Sequence, residues 1–117
     1  MFRTRLALVT LLAAALVVVA SASAATPKLS ATVGPGFNIS LKKGTSKVTS
    51  LKAGKVKIVV KDLSNIHNFH LKGPGVDKKT GVGAQGTFTW TVTLKKGTYK
   101  FICDPHASIM KGSFKVT

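Results

Sequence analysis

Acidic residues are nearly absent from this chain of 117 residues, which contains three aspartates and no glutamate. Lysine and arginine together number 18, so the formal charge at pH 7 is +15. Such a balance raises the question of nucleic-acid binding, which commonly uses clustered arginines. Both arginines, Arg3 and Arg5, stand at the start of the chain, and the lysines are spread along its length. We therefore expect no nucleic-acid partner and a solvated basic surface, which attracts acidic proteins or an anionic cell envelope.

Long apolar runs are also absent, except near the N-terminus. An uncharged apolar segment, residues 6–19, follows the two arginines, and small residues come directly after it. This order is typical of a secretory signal peptide, and the segment is shorter than the ~20 residues that a membrane-spanning helix needs. We predict that residues 1–24 are a signal peptide, with cleavage after Ala22 or Ala24. The alternative is a membrane anchor that stays in place.

The rest of the chain, residues 25–117, is long enough for one small domain. Export would place this domain in the periplasm, at the cell surface or outside the cell, where small domains often rely on disulfides. Cys103 is the only cysteine, so no internal disulfide can form. The apolar core, helped by a bound ligand, must hold the fold, and the high charge favours a monomer.

Apolar and polar residues alternate with a period of two in most of this domain, which is typical of half-buried strands. The clearest case is residues 87–94, where four apolar side chains alternate with four threonines. Glycine-rich turns separate about seven or eight such strands, and no segment has a helical period. The pattern predicts an all-β, antiparallel β-sandwich, with residues 76–86 as its longest loop. Other residues predicted to face the core are Leu29, Ala31, Val33, Phe37, Ile39, Leu41, Val56, Ile58, Val60, Tyr99, Phe101, Phe114 and Val116.

Three residues that bind soft metal ions lie close together near the C-terminus. Cys103 ends an inward-facing strand, and His106 and Met110 follow within a segment of eight residues that Pro105 interrupts. A loop of this kind can direct a thiolate, an imidazole and a thioether at one point, a combination that suits copper in both oxidation states. Methionine is not a usual zinc ligand. Taken singly, Cys103 is equally explained as a buried structural cysteine, and Met110 as a core residue.

A second imidazole must come from elsewhere in the chain, and His67 and His70 are the two candidates. If residues 66–71 form a strand, His67 shares a face with the apolar residues Phe69 and Leu71, and His70 lies on the other face. Because the apolar face points to the core, the pattern favours His67 as the metal ligand. It also predicts that His70 lies at the surface, although His70 remains the alternative ligand.

With these residues in view, the sequence resembles the plastocyanin-like branch of the cupredoxin family. Residues 97–106 read GTYKFICDPH and are followed by Met110, which matches the family pattern G-x-Y-x-F-x-C-x-P-H-x-x-x-x-M apart from a shorter last spacing. The His-Asn pair of that family is matched by His67 and Asn68. The resemblance covers nearly all of residues 25–117 in strand order, and these two motifs are its specific part.

The resemblance implies a Greek-key β-sandwich with one type 1 (blue) copper ion at one end, alternating between Cu(I) and Cu(II). It also implies that Asn68 ties the ligand loops together through a hydrogen bond near Asp104. The implied copper ligands are His67, Cys103, His106 and Met110.

The function that follows from the resemblance is the transfer of single electrons between redox partner proteins, which the basic surface would favour if they are acidic. We do not expect an enzyme, because multicopper enzymes need more copper centres and more histidines than the three in this chain. The alternative is a periplasmic or extracellular copper carrier or storage protein, for which His70 would offer an extra ligand. A structural β-sandwich without a metal would leave Cys103 and Met110 unexplained.

Overall fold

The computed structural model of the protein describes residues 12–19 and 25–117. Residues 12–19 are exposed and lie outside any helix or strand. Arg3, Arg5 and the expected cleavage points lie outside the described residues, so the signal peptide and the domain boundary that it sets stay predictions. The described part of the chain has no helix with the length and apolar character that a membrane crossing needs.

Ten strands form two five-stranded sheets whose inner faces share one apolar core. Sheet A has the strand order β3-β2-β1-β5-β8, and sheet B has the order β4-β10-β9-β6-β7. A 3-10 turn at Asp104–His106 is the only helical element of the described residues. The strands are β1 Lys28–Val33, β2 Ile39–Lys43, β3 Ser46–Lys47, β4 Ser50–Leu51, β5 Gly54–Asp62, β6 His70–Gly73, β7 Val76–Lys79, β8 Gly86–Leu94, β9 Gly97–Ile102 and β10 Lys111–Val116.

The predicted all-β sandwich is confirmed, with more strands than the seven or eight expected. Two of the extra strands, β3 and β4, have only two residues each, and β7 lies within the segment 76–86 that was expected to be a loop. The sheets are mixed rather than wholly antiparallel, because β1 runs parallel to β5 and β10 runs parallel to β4. Alternation reports which face of a strand is buried, and it carries no information on the direction of the neighbouring strand.

The core consists of alternate side chains from both sheets, as the period of two predicted. In β8, Trp90, Val92 and Leu94 are buried while the threonines between them are exposed. Every other residue expected to face the core is buried or partly buried, with one exception. Phe37 lies ahead of β2 and is 60% exposed, so its assignment to the core was wrong.

Close packing fixes β9, the strand that leads into Cys103. A Cβ atom added to Gly112 would lie 2.2 Å from Cζ of Phe101, its cross-strand partner, so this ring covers the glycine. On the other side, the Tyr99 ring covers Gly73, where an added Cβ atom would lie 2.3 Å from Cδ1 of Tyr99. The Tyr99 hydroxyl donates to the carbonyl of Pro74 at 2.6 Å. These contacts hold β9 against both of its neighbours.

Candidate metal centre

Three loops meet at one end of the sandwich, which is called the site end below. Residues 34–38 join β1 to β2, residues 63–69 join β5 to β6, and residues 103–110 join β9 to β10. The loops 63–69 and 103–110 carry the predicted metal ligands. The loop 34–38 contributes residues that were not predicted to belong to the site.

Backbone hydrogen bonds close the loop 103–110 into a compact turn. The N–H of His106 donates to the carbonyl of Cys103 at 3.0 Å, and the N–H of Met110 donates to the carbonyl of His106 at 2.8 Å. The N–H of Cys103 donates to the carbonyl of Met110 at 3.0 Å, which joins the two ends of the loop. These hydrogen bonds therefore hold the loop 103–110 in one conformation.

Three donor atoms converge between the loops. Nδ1 of His67 lies 3.1 Å from Nδ1 of His106, and Sγ of Cys103 lies 3.7 Å and 3.6 Å from these two nitrogens. Because metal–nitrogen bonds are ~2.0–2.1 Å and metal–sulfur bonds ~2.3 Å, one ion can be bound by all three atoms. His67 and Cys103 are buried, and His106 is partly exposed. Met110, at the end of the same loop, is fully buried.

His70 does not join this group of donors, and it is not the surface residue that the alternation predicted. It is 6% exposed, with Nδ1 at 2.8 Å from Oδ1 of Asp104 and Nε2 at 2.5 Å from Oδ1 of Asp77. The expectation failed for two reasons. The strand β6 begins only at His70, and β7 pairs with it and supplies Asp77 over the face that was expected to be open.

Asn68 connects the two ligand loops. Its Nδ2 donates to Oδ2 of Asp104 at 2.7 Å, and its Oδ1 accepts the backbone N–H of Asp104 at 2.7 Å. The contact that the resemblance implied is therefore present. The backbone N–H of Asn68 donates to Sγ of Cys103 at 3.4 Å. Thr80, which the sequence did not single out, accepts from Asn68 Nδ2 through its carbonyl at 3.2 Å.

Two aspartates share the His70 ring. Burial opposes ionisation of Asp104, but hydrogen bonds from His70 and Asn68 outweigh it and hold the pKa of Asp104 below its ordinary value. The hydrogen bond from His70 also lowers the pKa of Asp77. His70 thereby links β7 to the loop that carries Cys103 and His106.

Phe37 is a residue of the site that sequence reasoning missed. Its ring meets both imidazoles edge-on, with centroid distances of 5.3 Å to His67 and 4.9 Å to His106. The N–H of Gly34 donates to the carbonyl of Asn38 at 2.9 Å and so closes the loop. Gly34 has φ of +75°, and an added Cβ would lie 3.2 Å from Cδ2 of His67. The glycine-rich turn was a visible signal, but the contact of Phe37 with the histidines was not.

Asp62 lies at the same end, on sheet A, and is 1% exposed. Its Oδ1 accepts the N–H of Ser64 at 3.0 Å, while Oδ2 has no hydrogen-bond partner. Burial raises the pKa of Asp62, against the opposing effects of the Ser64 hydrogen bond and of His67. Among the described residues, Nε2 of His67 is the other buried side-chain atom without a partner. Both unpartnered atoms therefore belong to the site end.

A β-sandwich in which a cysteine sulfur and two imidazoles converge at one end has the donor atoms that soft metal ions prefer. The family model of the cupredoxin-like domain matches residues 8–116. The chain belongs to the cupredoxin-like family. Its fold and its candidate ligands, His67, Cys103, His106 and Met110, are those of a copper-binding cupredoxin domain.

Solved structures show the same fold. Reduced rusticyanin, a copper protein, is 23% identical with a TM-score of 0.62, and the match covers 82% of each chain. Rusticyanin from Thiobacillus ferrooxidans is 24% identical with a TM-score of 0.57, covering 81% of this chain and 79% of that one. A chain of a heme-copper terminal oxidase dimer is 18% identical with a TM-score of 0.54, covering 77% and 63%. A search of curated proteins gave no match.

Proposed function

We propose that the protein is a blue-copper electron carrier that binds one copper ion through His67, Cys103, His106 and Met110 and transforms no substrate. The observation that supports this most directly is the convergence of two Nδ1 atoms and one Sγ atom within 4.8 Å. A thiolate and two imidazoles with a weak methionine ligand are the donor set of electron-transfer copper sites. Bound copper would supply a one-electron couple that changes between Cu(I) and Cu(II).

The residues around the donors would keep the site in one geometry. Asn68 holds the loop 63–69 to Asp104 by two hydrogen bonds of 2.7 Å, and its N–H contacts the sulfur of Cys103. Groups of this kind orient ligands and adjust their basicity. A fixed donor arrangement favours electron transfer, because little rearrangement is then needed when the charge of the site changes.

Addition of Cu(II) to the purified protein, followed by its visible spectrum, tests the proposal. We expect one equivalent to produce an intense charge-transfer band in the wild type, and Cys103→Ala to abolish it. His67→Ala should also lose the band, whereas His70→Ala should keep it, because both ring nitrogens of His70 already contact aspartates. A colourless complex that persists in Cys103→Ala would contradict the proposal, and loss of the band in His70→Ala alone would contradict the choice of His67.

Copper carriage or storage is the alternative function. It was favoured by His70 as a spare ligand, and this support is weakened because His70 is engaged by Asp77 and Asp104. Competition with a Cu(I) chelator distinguishes the two functions. A carrier would release copper within the time of mixing, whereas the electron carrier proposed here would retain it much longer.

Export and redox partners remain part of the proposal. We expect electrons to enter and leave on the side of His106, the one partly exposed donor of the cluster. The Phe37 ring, 60% exposed, lies 4.9 Å from the His106 ring, and Ile109 in the same loop as His106 is 64% exposed. Determination of the N-terminus of the accumulated protein tests export, because cleavage should leave Ser23 or Ala25 as the first residue. An intact Met1 in the accumulated protein would contradict it.

A further inference from the structure

The outward side of sheet A carries a dense set of lysines. They project from four neighbouring strands, β3, β2, β1 and β5, and all are exposed. The intervening outward residues are mostly serines and threonines, and β8 completes the surface with four exposed threonines. This surface is called the lysine face and consists of Lys28, Lys42, Lys47, Lys55, Lys57 and Lys61.

The strand register places like charges side by side on this face. Lys28 lies opposite Lys57 between β1 and β5, and Lys42 lies opposite Lys47 between β2 and β3. Like charges in such positions destabilise a sheet. Neighbouring strands are ~4.8 Å apart, so these charges lie well within the ~10 Å screening length at moderate salt. The fold therefore keeps a repulsive arrangement that an external anion would relieve.

Among the described residues, no aspartate side chain lies on the lysine face. Asp62 is in β5 but points into the core, where it is 1% exposed. Asp77 and Asp104 are bonded to His70 on sheet B. Within residues 12–19 and 25–117, the ion pairs all involve His70 and none involves a lysine. The aspartates of the part of the chain that the structure describes therefore do not balance the positive charge of the face.

The composition of the face favours a flat, diffuse anionic surface over a protein partner. Protein interfaces depend on central aromatic or arginine residues that fill pockets, and the face has neither. Lysine acts as a point charge without a preferred planar partner. Three strand spacings separate the outermost of its four strands, so the lysine face is about 14 Å wide. Lysines near an anionic bilayer each contribute attraction without needing a specific pocket.

We propose that the lysine face docks the protein on an anionic lipid surface. The face is a side of the sandwich, while Cys103 and His106 lie in a loop at the site end, so docking leaves the candidate metal centre open. In this orientation the site end faces along the membrane, toward partners held in the same bilayer. The proposal depends on the charge arrangement of sheet A and not on the identity of the bound metal.

Vesicle binding of the exported protein, purified after loss of its signal peptide, tests this, with phosphatidylglycerol mixed into phosphatidylcholine as the probe. The test variant is Lys28→Gln/Lys42→Gln/Lys57→Gln, and the control is Lys72→Gln/Lys100→Gln/Lys115→Gln. The control removes the same charge from exposed positions of sheet B. At roughly fivefold per lysine, the test variant should partition on the order of 100-fold more weakly, and the control should lose much less. Binding of the wild type should fall steeply with salt and be absent with pure phosphatidylcholine.

Amine-reactive labelling followed by mass spectrometry locates the contact. On vesicles, Lys28, Lys42 and Lys57 should be protected while Lys100 and Lys115 stay reactive. Equal weakening by both triple variants, or equal protection of both sheets, would show that net charge alone drives binding and would overturn the proposal. It would also be overturned if the vesicles failed to bind while poly-L-glutamate protected the lysine face, because the partner would then be an acidic polypeptide.

Discussion

Both sheets of the sandwich place lysines opposite lysines, as Lys72 and Lys100 are on sheet B, but the two sheets differ in where their carboxylates lie. On sheet A, lysines face lysines across the strands, and the one carboxylate, Asp62, points inward with an unpartnered oxygen. On sheet B, Asp77 is hydrogen-bonded to His70. Asp104, in the loop that carries the metal donors Cys103 and His106, is hydrogen-bonded to the same ring. The polar contacts of sheet B are specific and fix positions at the site. The charges of sheet A contribute no such contacts, so apolar packing must supply its stability.

The packing of sheet B gives the largest expected change in stability. Gly112→Ala would place a methyl group 2.2 Å from the buried Phe101 ring, which is itself stacked on Phe69 at 5.6 Å. Because the ring must shift from its stacked position to admit the methyl group, we expect the free energy of unfolding of the apo protein to fall by roughly 1–3 kcal/mol. Denaturant titration followed by tryptophan fluorescence measures this.

Gly83→Ala is the matched control, because an added Cβ there would meet no atom within 4 Å. We expect its unfolding free energy to stay within about 0.5 kcal/mol of the wild type. Equal destabilisation by the two variants would mean that the close contact between Gly112 and the Phe101 ring is not the cause of the loss in stability.

The hydrogen bonds of His70 should contribute somewhat less. His70→Ala leaves Asp77 and Asp104 without their shared donor, and we expect a loss of about 1–2 kcal/mol in the apo protein. Asp77→Asn removes the negative charge of the outer contact alone and should cost less, since the Asp77 side chain is 72% exposed. A double-mutant cycle between the two changes measures their coupling, and additive effects would show that the contact does not link β7 to the site.

The regular parts of both sheets could be predicted because a half-buried strand must alternate. Residues 87–94 and the inward sets in β1, β5, β9 and β10 followed from that alternation alone. The metal donors within residues 103–110 could be predicted equally well, because eight residues closed by their own backbone hydrogen bonds cannot place Cys103 and His106 far apart. Constraints between residues that are close in the sequence can therefore be predicted from the sequence alone.

Contacts between distant loops could not be predicted in this way. Phe37 was assigned to the core because it alternates with Ile39, yet its loop turns the ring onto two histidines from other loops. His70 was assigned to the surface because no short-range pattern indicates that β7 would supply Asp77 to cover it. The parallel or antiparallel direction of neighbouring strands could not be predicted for the same reason, since it depends on which strands become neighbours.

A pH titration of two aspartates sharpens the contrast between the sheets. Burial raises the pKa of Asp62, so its contribution to stability is present below the unfolded value of about 3.9 and lost as pH rises through its folded pKa. Asp62→Asn should therefore stabilise the apo protein at neutral pH by about 1 kcal/mol, and this gain should vanish below pH ~3.9.

Asp77 should behave with the opposite sign. Its pKa is lowered by the His70 hydrogen bond, so its contribution is present above pH ~3.9 and lost as pH falls through its folded pKa. Asp77→Asn should therefore destabilise the apo protein at neutral pH, and the loss should disappear in acid. Unfolding curves of both variants across this pH range check the pair. Effects of the same sign at neutral pH would contradict the different surroundings described for the two carboxylates.

The smallest expected effect comes from the repulsion on sheet A. Lys57→Thr removes the like-charge pair with Lys28 and should stabilise the protein by about 0.2–1 kcal/mol at low salt. Lys115→Thr makes the same substitution on β10, where the cross-strand neighbours Thr98 and Ser50 are uncharged, so it reports the change in strand propensity alone. Added salt should stabilise the wild type and shrink the difference between the two variants, because it screens exposed charges. An equal gain from both variants, or one that does not respond to salt, would mean that the lysines of sheet A do not strain the fold.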